Sequence, residues 1–227
     1  MSGVLEQARA LFSQDNVLFV LAAMGRTLMM TLLGCALGFI AGMLLALLRR
    51  STRSYLAPVR LIAAVYVELF RRIPFLVILF IVLFAIGPIA PDASLFTIAA
   101  VSICLLATAF LSEIVGAGLD SVPTTQVQAA EALNLGRLRT LRYVVLPQAW
   151  RVILPPAIAF GVMFIKDTAL ASQMGVVELT FAGKVLVNRG VAPALGFGLI
   201  LLCYFALSYP LTRLGAHLER RLATSRH

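Results

Sequence analysis

Apolar and polar positions along this chain sort into long blocks. The first runs from about Met24 or Leu28 to Leu48 and stops at Arg49, Arg50 and Arg53. An unbroken apolar stretch of about 20 residues is what an α-helix needs to cross a bilayer. Gly34, Gly38 and Gly42 lie on one face of it, and small residues at that spacing admit a close helical neighbour. The second block is interrupted. Leu61 to Leu69 is apolar apart from Glu68, then Arg71, Arg72 and Pro74 intervene before the unbroken run Phe75 to Ile86. Either a span begins near Ile73 with both arginines at the surface, or a longer helix buries them against a partner. Gly87, Pro88 and Pro91 close this block as a turn.

The third block predicts a helix over Leu95 to Leu111, with Glu113 near its end. The fourth starts around Val152, carries Pro155 and Pro156, and stops at Lys166 and Asp167. That run is short for a crossing, so the helix upstream or Thr168 to Val177 has to complete it. The fifth block, Leu195 to Leu211, is clear. The pattern predicts an all-α integral membrane protein of about five transmembrane helices. It has one domain over 1–227, with a lead over 1–16, a polar loop over 120–150 and a polar tail over 213–227.

Composition sharpens this picture. Of 227 residues, 61% are hydrophobic and 13% are charged, where a soluble domain carries about 25% charged residues. The net charge of +9 does not point to nucleic acid, because the basic residues flank the apolar blocks and form no stripe with aromatics. Arg49, Arg50, Arg53 and Arg60 fall between spans one and two. Arg137, Arg139, Arg142 and Arg151 fall between three and four, and Arg213, Arg220, Arg221 and Arg226 follow span five. The opposite side has Arg9, Lys184 and Arg189. The positive-inside rule therefore places the C-terminus in the cytoplasm and the N-terminus outside. The opening residues lack the basic start of a signal peptide, so they are expected to stay on the mature chain.

Reactive chemistry is absent from the pattern. The only Gly-Lys pair, Gly183-Lys184, has Glu178 where a phosphate-binding loop needs its first glycine, so this chain is not expected to hydrolyse ATP. Cys35, Cys104 and Cys203 each lie inside an apolar run, without metal-ligand spacing. No catalytic set, metal site or cofactor is expected. The ionisable residues nearest the spans, Glu113, Lys166 and Asp167, together with Thr168, are candidates for a solute path. The competing reading is a Lys166–Asp167 pair that neutralises itself at a helix end.

The polar loop is patterned. Gln126 to Leu133 are good helix formers, and Asn134 and Gly136 tolerate the left-handed backbone that ends a helix. A second helix is expected over Leu138 to Leu146, stopped by Pro147. Two short helices with small residues on one side suit a groove in another protein; the competing reading is a surface helix with no partner.

At this point the sequence resembles a known family. The loop is similar to the EAA loop in permease subunits of binding-protein-dependent ABC importers, whose pattern is Glu-Ala-Ala, three residues, Gly, nine residues, Ile, one residue, Leu-Pro. The register falls on Gln128, Ala129, Ala130, Asn134, Val144, Leu146 and Pro147. Gln128 stands for Glu and Asn134 for Gly. ELFRRIPFLVILF (68–80), SEIVGAGLDSVPTTQ (112–126), LPQAWRVILPP (146–156) and KDTAL (166–170) narrow the resemblance to the polar amino acid type, for histidine, glutamine and glutamate. In the second of these, Gly116 stands where Arg is usual and Thr125 where Gly is usual.

The resemblance implies an ABC type I importer permease with a cytoplasmic coupling-helix loop, in the bacterial inner membrane. It implies as partners a cytoplasmic ABC ATPase dimer, a second identical or homologous permease, a periplasmic or extracellular solute-binding protein, and membrane lipid. Gln128, Ala129, Ala130, Asn134, Gly136, Leu146 and Pro147 would carry the coupling. The alternative is a self-sufficient channel or secondary transporter, which the absence of an inverted repeat argues against.

Overall fold

A computed structural model describes residues 11–223, and all regular structure among these residues is helical. The 36-residue helix α1 spans Gln14–Arg49. A short 3-10 turn at Ser54–Leu56 leads into α2 (Ala57–Arg72), followed by α3 (Phe75–Ile86) and α4 (Leu95–Asp120). The polar loop holds α5 (Thr124–Ala132), α6 (Arg137–Thr140) and a π-helical turn at Leu141–Val145. Then come α7 (Leu146–Asp167), a 3-10 segment Thr168–Met174, α8 (Leu179–Asn188) and α9 (Pro193–Ala223). Four helical stretches are long and apolar enough to cross a membrane, and α2 with α3 would make a fifth if counted as one span.

The helices exceed their apolar blocks. α1 starts at Gln14 rather than Met24, because its buried face continues upstream through Asn16, Val20, Ala23 and Thr27 at helical spacing. Arg26 is exposed there and leaves that face uninterrupted. α4 runs past Leu111 to Asp120, which places Glu113 inside a helix instead of after one. α9 runs past Leu211 to Ala223. A charged residue ends an apolar run, but it does not end a helix that has water or an opposite charge to receive it.

Two proline sites behave differently from each other. At Pro74 the helix breaks: α2 stops at Arg72, and Pro74 is extended (φ −58°, ψ 139°) before α3 begins. Proline disfavours helical backbone in the residue before it. The second block is thus two helices: the later one begins at Phe75, close to the expected start at Ile73, with Arg71 and Arg72 exposed as that reading has them, and no single longer helix buries the two arginines. At Pro147 the chain stays helical. The π turn just before it ends where α7 begins, and a proline in the first turn of a helix gives up an N–H that has no partner to lose. The expected stop at Pro147 is therefore wrong, and the fourth span, Arg137–Met174, is lengthened both by the helix upstream and by the 3-10 segment from Thr168.

The described residues divide into two compact units. The first comprises residues up to Ala36, Ile73–Cys104 and Gly161–Leu211. Its core is built from Val20, Ala23, Leu179, Ala182, Leu186 and Ile200. Gly34 lets α4 approach within this unit: a Cβ there would lie 2.5 Å from Ile103 Cγ2 and 3.2 Å from the Ala100 carbonyl. The second unit comprises Leu37–Arg72, Leu105–Phe160 and the residues from Thr212 on, around Ala46, Val115, Leu119, Ala149 and Ile153.

Candidate functional site

The loop belongs to the second unit, and its geometry starts from one residue. Asn134 has φ 57°, the one positive φ outside glycine among the described residues. The Leu135 N–H donates to the Ala130 carbonyl at 3.0 Å, and the Asn134 N–H to the Glu131 carbonyl at 2.8 Å. These two bonds form a Schellman cap, which requires left-handed backbone at this position. Asparagine is among the few residues other than glycine that enter that region readily. The departure from the family's Gly thus keeps the turn. Gly136 is extended instead (φ −62°, ψ 154°) and starts α6. It does not share the helix-ending role its composition suggested.

The cap fixes what the loop presents. Ala130 faces inward at 3% exposure, while Gln128 and Ala129 are exposed. Leu133 and Leu138, on either side of the turn, are 76% and 78% exposed, and Tyr143 is also exposed. Leu146 is half-buried and Pro147 exposed. The loop is tied to its own unit by Arg137, which donates to Thr52 Oγ1 at 2.9 Å, and by Gln148, which donates to Gln126 Oε1 and to the Val144 carbonyl. Gly118 lets Ile153 lie against α4, since a Cβ there would fall 2.3 Å from Ile153 Cγ1.

Charges of the same unit are arranged in pairs. Arg49 donates to Glu113, and Arg71 lies 3.4 Å from the other oxygen of Glu113 with its guanidinium over Phe110. Arg50 grips Asp120 through Nε at 2.9 Å and through Nη2. The Arg50 guanidinium lies over Gly116, where an added Cβ would be 2.8 Å from it. An arginine from α1 therefore lies where the usual family residue at 116 would begin its own side chain. Glu113 serves here as the shared ion partner of two arginines.

The remaining path candidates lie in the first unit, so the structure does not gather Glu113 with them in one unit. Lys166 is exposed, Asp167 is half-buried, and the two form no ion pair among the described residues. Thr168 is buried, and its hydroxyl donates to the Ile165 carbonyl at 2.7 Å.

Sequence reasoning gave no role to Glu178, which is fully buried in the connection between α7 and α9. It caps α8: the Phe181 N–H donates to Oε1 at 2.8 Å. The Tyr204 hydroxyl donates to Oε2 at 2.7 Å, and Thr180 Oγ1 lies 2.9 Å from the same phenol oxygen. Burial pushes this carboxyl above its ordinary range, against the hydrogen bonds and the Lys184 charge that favour its ionised form. Glu178 thus holds the N-cap place before Leu179–Asn188 that a shorter Ser, Thr, Asp or Asn usually takes.

Comparison with known proteins accords with this geometry. The profile of the family described as "Binding-protein-dependent transport system inner membrane component" matches residues 17–224. The chain is 35% identical over 188 residues to the L-cystine transport system permease protein TcyB of Bacillus subtilis, covering 82% of this chain and 80% of that one. It is 32% identical over 198 residues to the glutamine transport system permease protein GlnP of Escherichia coli K12, covering 86% and 89%. Among solved structures, a crystal structure of an amino acid ABC transporter with histidines matches at a TM-score of 0.82 and 26% identity, over 91% of this chain and 95% of that one. The MetNI methionine ABC transporter in an inward-facing form shares the fold, at a TM-score of 0.79 and 22% identity, over 93% and 99%.

Proposed function

This chain belongs to the family of binding-protein-dependent transport system inner membrane components, and we propose from that premise how it works. It is a membrane-spanning permease subunit of an ATP-driven importer, not an enzyme, and it sits as a multi-pass protein in the inner membrane. It forms the pathway for amino acids or similar small polar solutes. ATP is hydrolysed by cytoplasmic ABC ATPase subunits, and a soluble binding protein delivers solute from the other side. A second permease, identical or homologous, completes the pathway. The N-terminus lies outside and the C-terminus in the cytoplasm, as the arginine-rich connections favour.

One observation carries the coupling. The Asn134 turn holds Leu133 and Leu138 out of their own unit at three-quarters exposure. Exposed apolar side chains on a capped, rigid turn are suited to a hydrophobic groove in a partner. Gln128, Ala129 and Ala130 precede the turn on the same helix, and Leu146 and Pro147 follow where α7 begins. A loop held this way moves as a lever when the ATPases close. Gln128 offers an amide where the family has a carboxylate, and an amide still hydrogen-bonds.

Affinity purification of the tagged chain from its native membrane, in mild detergent, tests this directly. A P-loop ATPase is expected to co-purify in near-equal amount and to be lost from a Leu133→Asp, Leu138→Asp variant. A chain that comes alone under several detergents would overturn the coupling and favour a self-sufficient channel. The same membranes, as sealed right-side-out vesicles, test orientation: a C-terminal tag is expected to resist added protease until the vesicles are opened.

A further inference from the structure

Three residues separate the end of the 3-10 segment that follows Asp167 from Glu178, the most buried charged side chain among the described residues. The 3-10 segment ends at Met174, Gly175 turns with φ 89°, and Glu178 caps α8. In the same unit Lys184 donates to Ser172 Oγ at 3.2 Å, which ties α8 to the middle of the segment. The Leu179 N–H donates to Thr27 Oγ1 at 3.1 Å, which ties the start of α8 to α1. The Tyr204 phenol joins α9 to Glu178 and Thr180, and it lies close to Thr168 at the head of the segment. Thr168, Ser172 and Glu178 are buried, so water does not replace these bonds.

Burial of a carboxylate is costly unless its oxygens are taken up by donors. Both oxygens of Glu178 are occupied, one by backbone and one by Tyr204. Simple capping of a helix needs only the first, and an exposed Ser, Thr, Asp or Asn would do it. The second oxygen is spent on a phenol that also reaches the residue beside Lys166 and Asp167. We propose that Glu178 and Tyr204 are positioning residues for solute passage: they hold the 168–174 segment, and with it Lys166 and Asp167, in the geometry that receives solute. This rests on the assignment of 166–168 to the solute path.

Uptake by the complete transporter in proteoliposomes, with its ATPase and binding protein, tests the inference. The probe is whichever of radiolabelled glutamine, glutamate, cystine, histidine or arginine the wild type accumulates fastest. Tyr204→Phe keeps the ring and removes only the hydroxyl. It is expected to raise the half-saturating solute concentration about tenfold while basal, solute-free ATPase activity stays within about twofold. Glu178→Gln, which keeps an acceptor for Phe181, is expected to be milder than Glu178→Ala. In the Thr168→Val, Tyr204→Phe double variant the two effects are expected to be non-additive. Unchanged saturation in Tyr204→Phe, or basal ATPase falling in step with uptake, would overturn the proposal in favour of a purely structural cap. Lys166→Ala and Thr168→Val separate the two layers. If they shift saturation while Tyr204→Phe does not, the positioning role fails alone. If neither they nor Tyr204→Phe shift it, the solute-path assignment fails with it.

Discussion

The two units of this permease handle acidic side chains in opposite ways. In the second unit, Glu68, Glu113 and Asp120 each meet an arginine, and the paired side chains retain 27% to 77% of their exposure. In the first unit Glu178 is fully buried, and two donors occupy its oxygens without an ion pair. Partly solvated ion pairs contribute little, because water already does most of what the partner does. A buried acceptor is different, since removing it strands a donor such as the Phe181 N–H at a cost of about 1–3 kcal/mol. The comparison teaches that the unit richer in charge is not the one in which a charge matters most to stability.

Glu178→Ala should give the largest effect. It strands the Phe181 N–H and leaves the Tyr204 hydroxyl with Thr180 alone, so a loss of about 2–3 kcal/mol is expected. Thermal unfolding of the purified chain in detergent would read it, and a melting point equal to wild type would break the comparison at its root. Asn134→Val comes next. A β-branched residue in left-handed backbone costs about 1–3 kcal/mol, whereas Asn134→Gly should be neutral. ATPase retention in the pull-down should follow the same order, and equal behaviour of the two variants would remove the cap from the coupling argument.

Glu113→Gln should cost about 1 kcal/mol or less, since the carboxylate it replaces is a third exposed beside Arg49 and Arg71. A loss rivalling Glu178→Ala would mean that the Arg49–Glu113–Arg71 cluster is far drier than its exposure says. The smallest effect belongs to Glu68→Gln. Its pair with Arg72 is an exposed contact one helical turn apart, and no measurable change in melting is expected. Raising salt would sharpen the ranking: it should narrow the gap between wild type and Glu113→Gln and leave Glu178→Ala unmoved.

Much of the fold was legible in the apolar blocks, because crossing a bilayer imposes length and hydrophobicity together. The Gly34 and Gly42 spacing announced close packing, and both glycines do leave no room for a Cβ against α4. The capped turn was legible too, since Asn134 is one of few residues able to supply it. Helix ends were not. Glu113 and Arg26 interrupt hydrophobicity without interrupting helix, and hydropathy alone cannot tell a charge with a partner from one that ends a span. Pro74 and Pro147 look alike in sequence, yet one breaks the chain and the other sits where a helix begins. Glu178 was not legible as a cap, because Glu is not among the usual N-cap residues, and it registered only as a misplaced residue in a phosphate-loop pattern.

The amino-acid sequence by itself determined the class of this protein, its apolar spans and its loop register, because each depends on residue type and local spacing. Tertiary structure alone decided which charges are buried. It set Arg50 over Gly116, made Glu113 the ion partner of two arginines, and brought Tyr204 and Thr27 to the start of α8. Those outcomes depend on contacts between residues far apart in the chain, and desolvation is a property of the packed neighbourhood, not of the residue that suffers it.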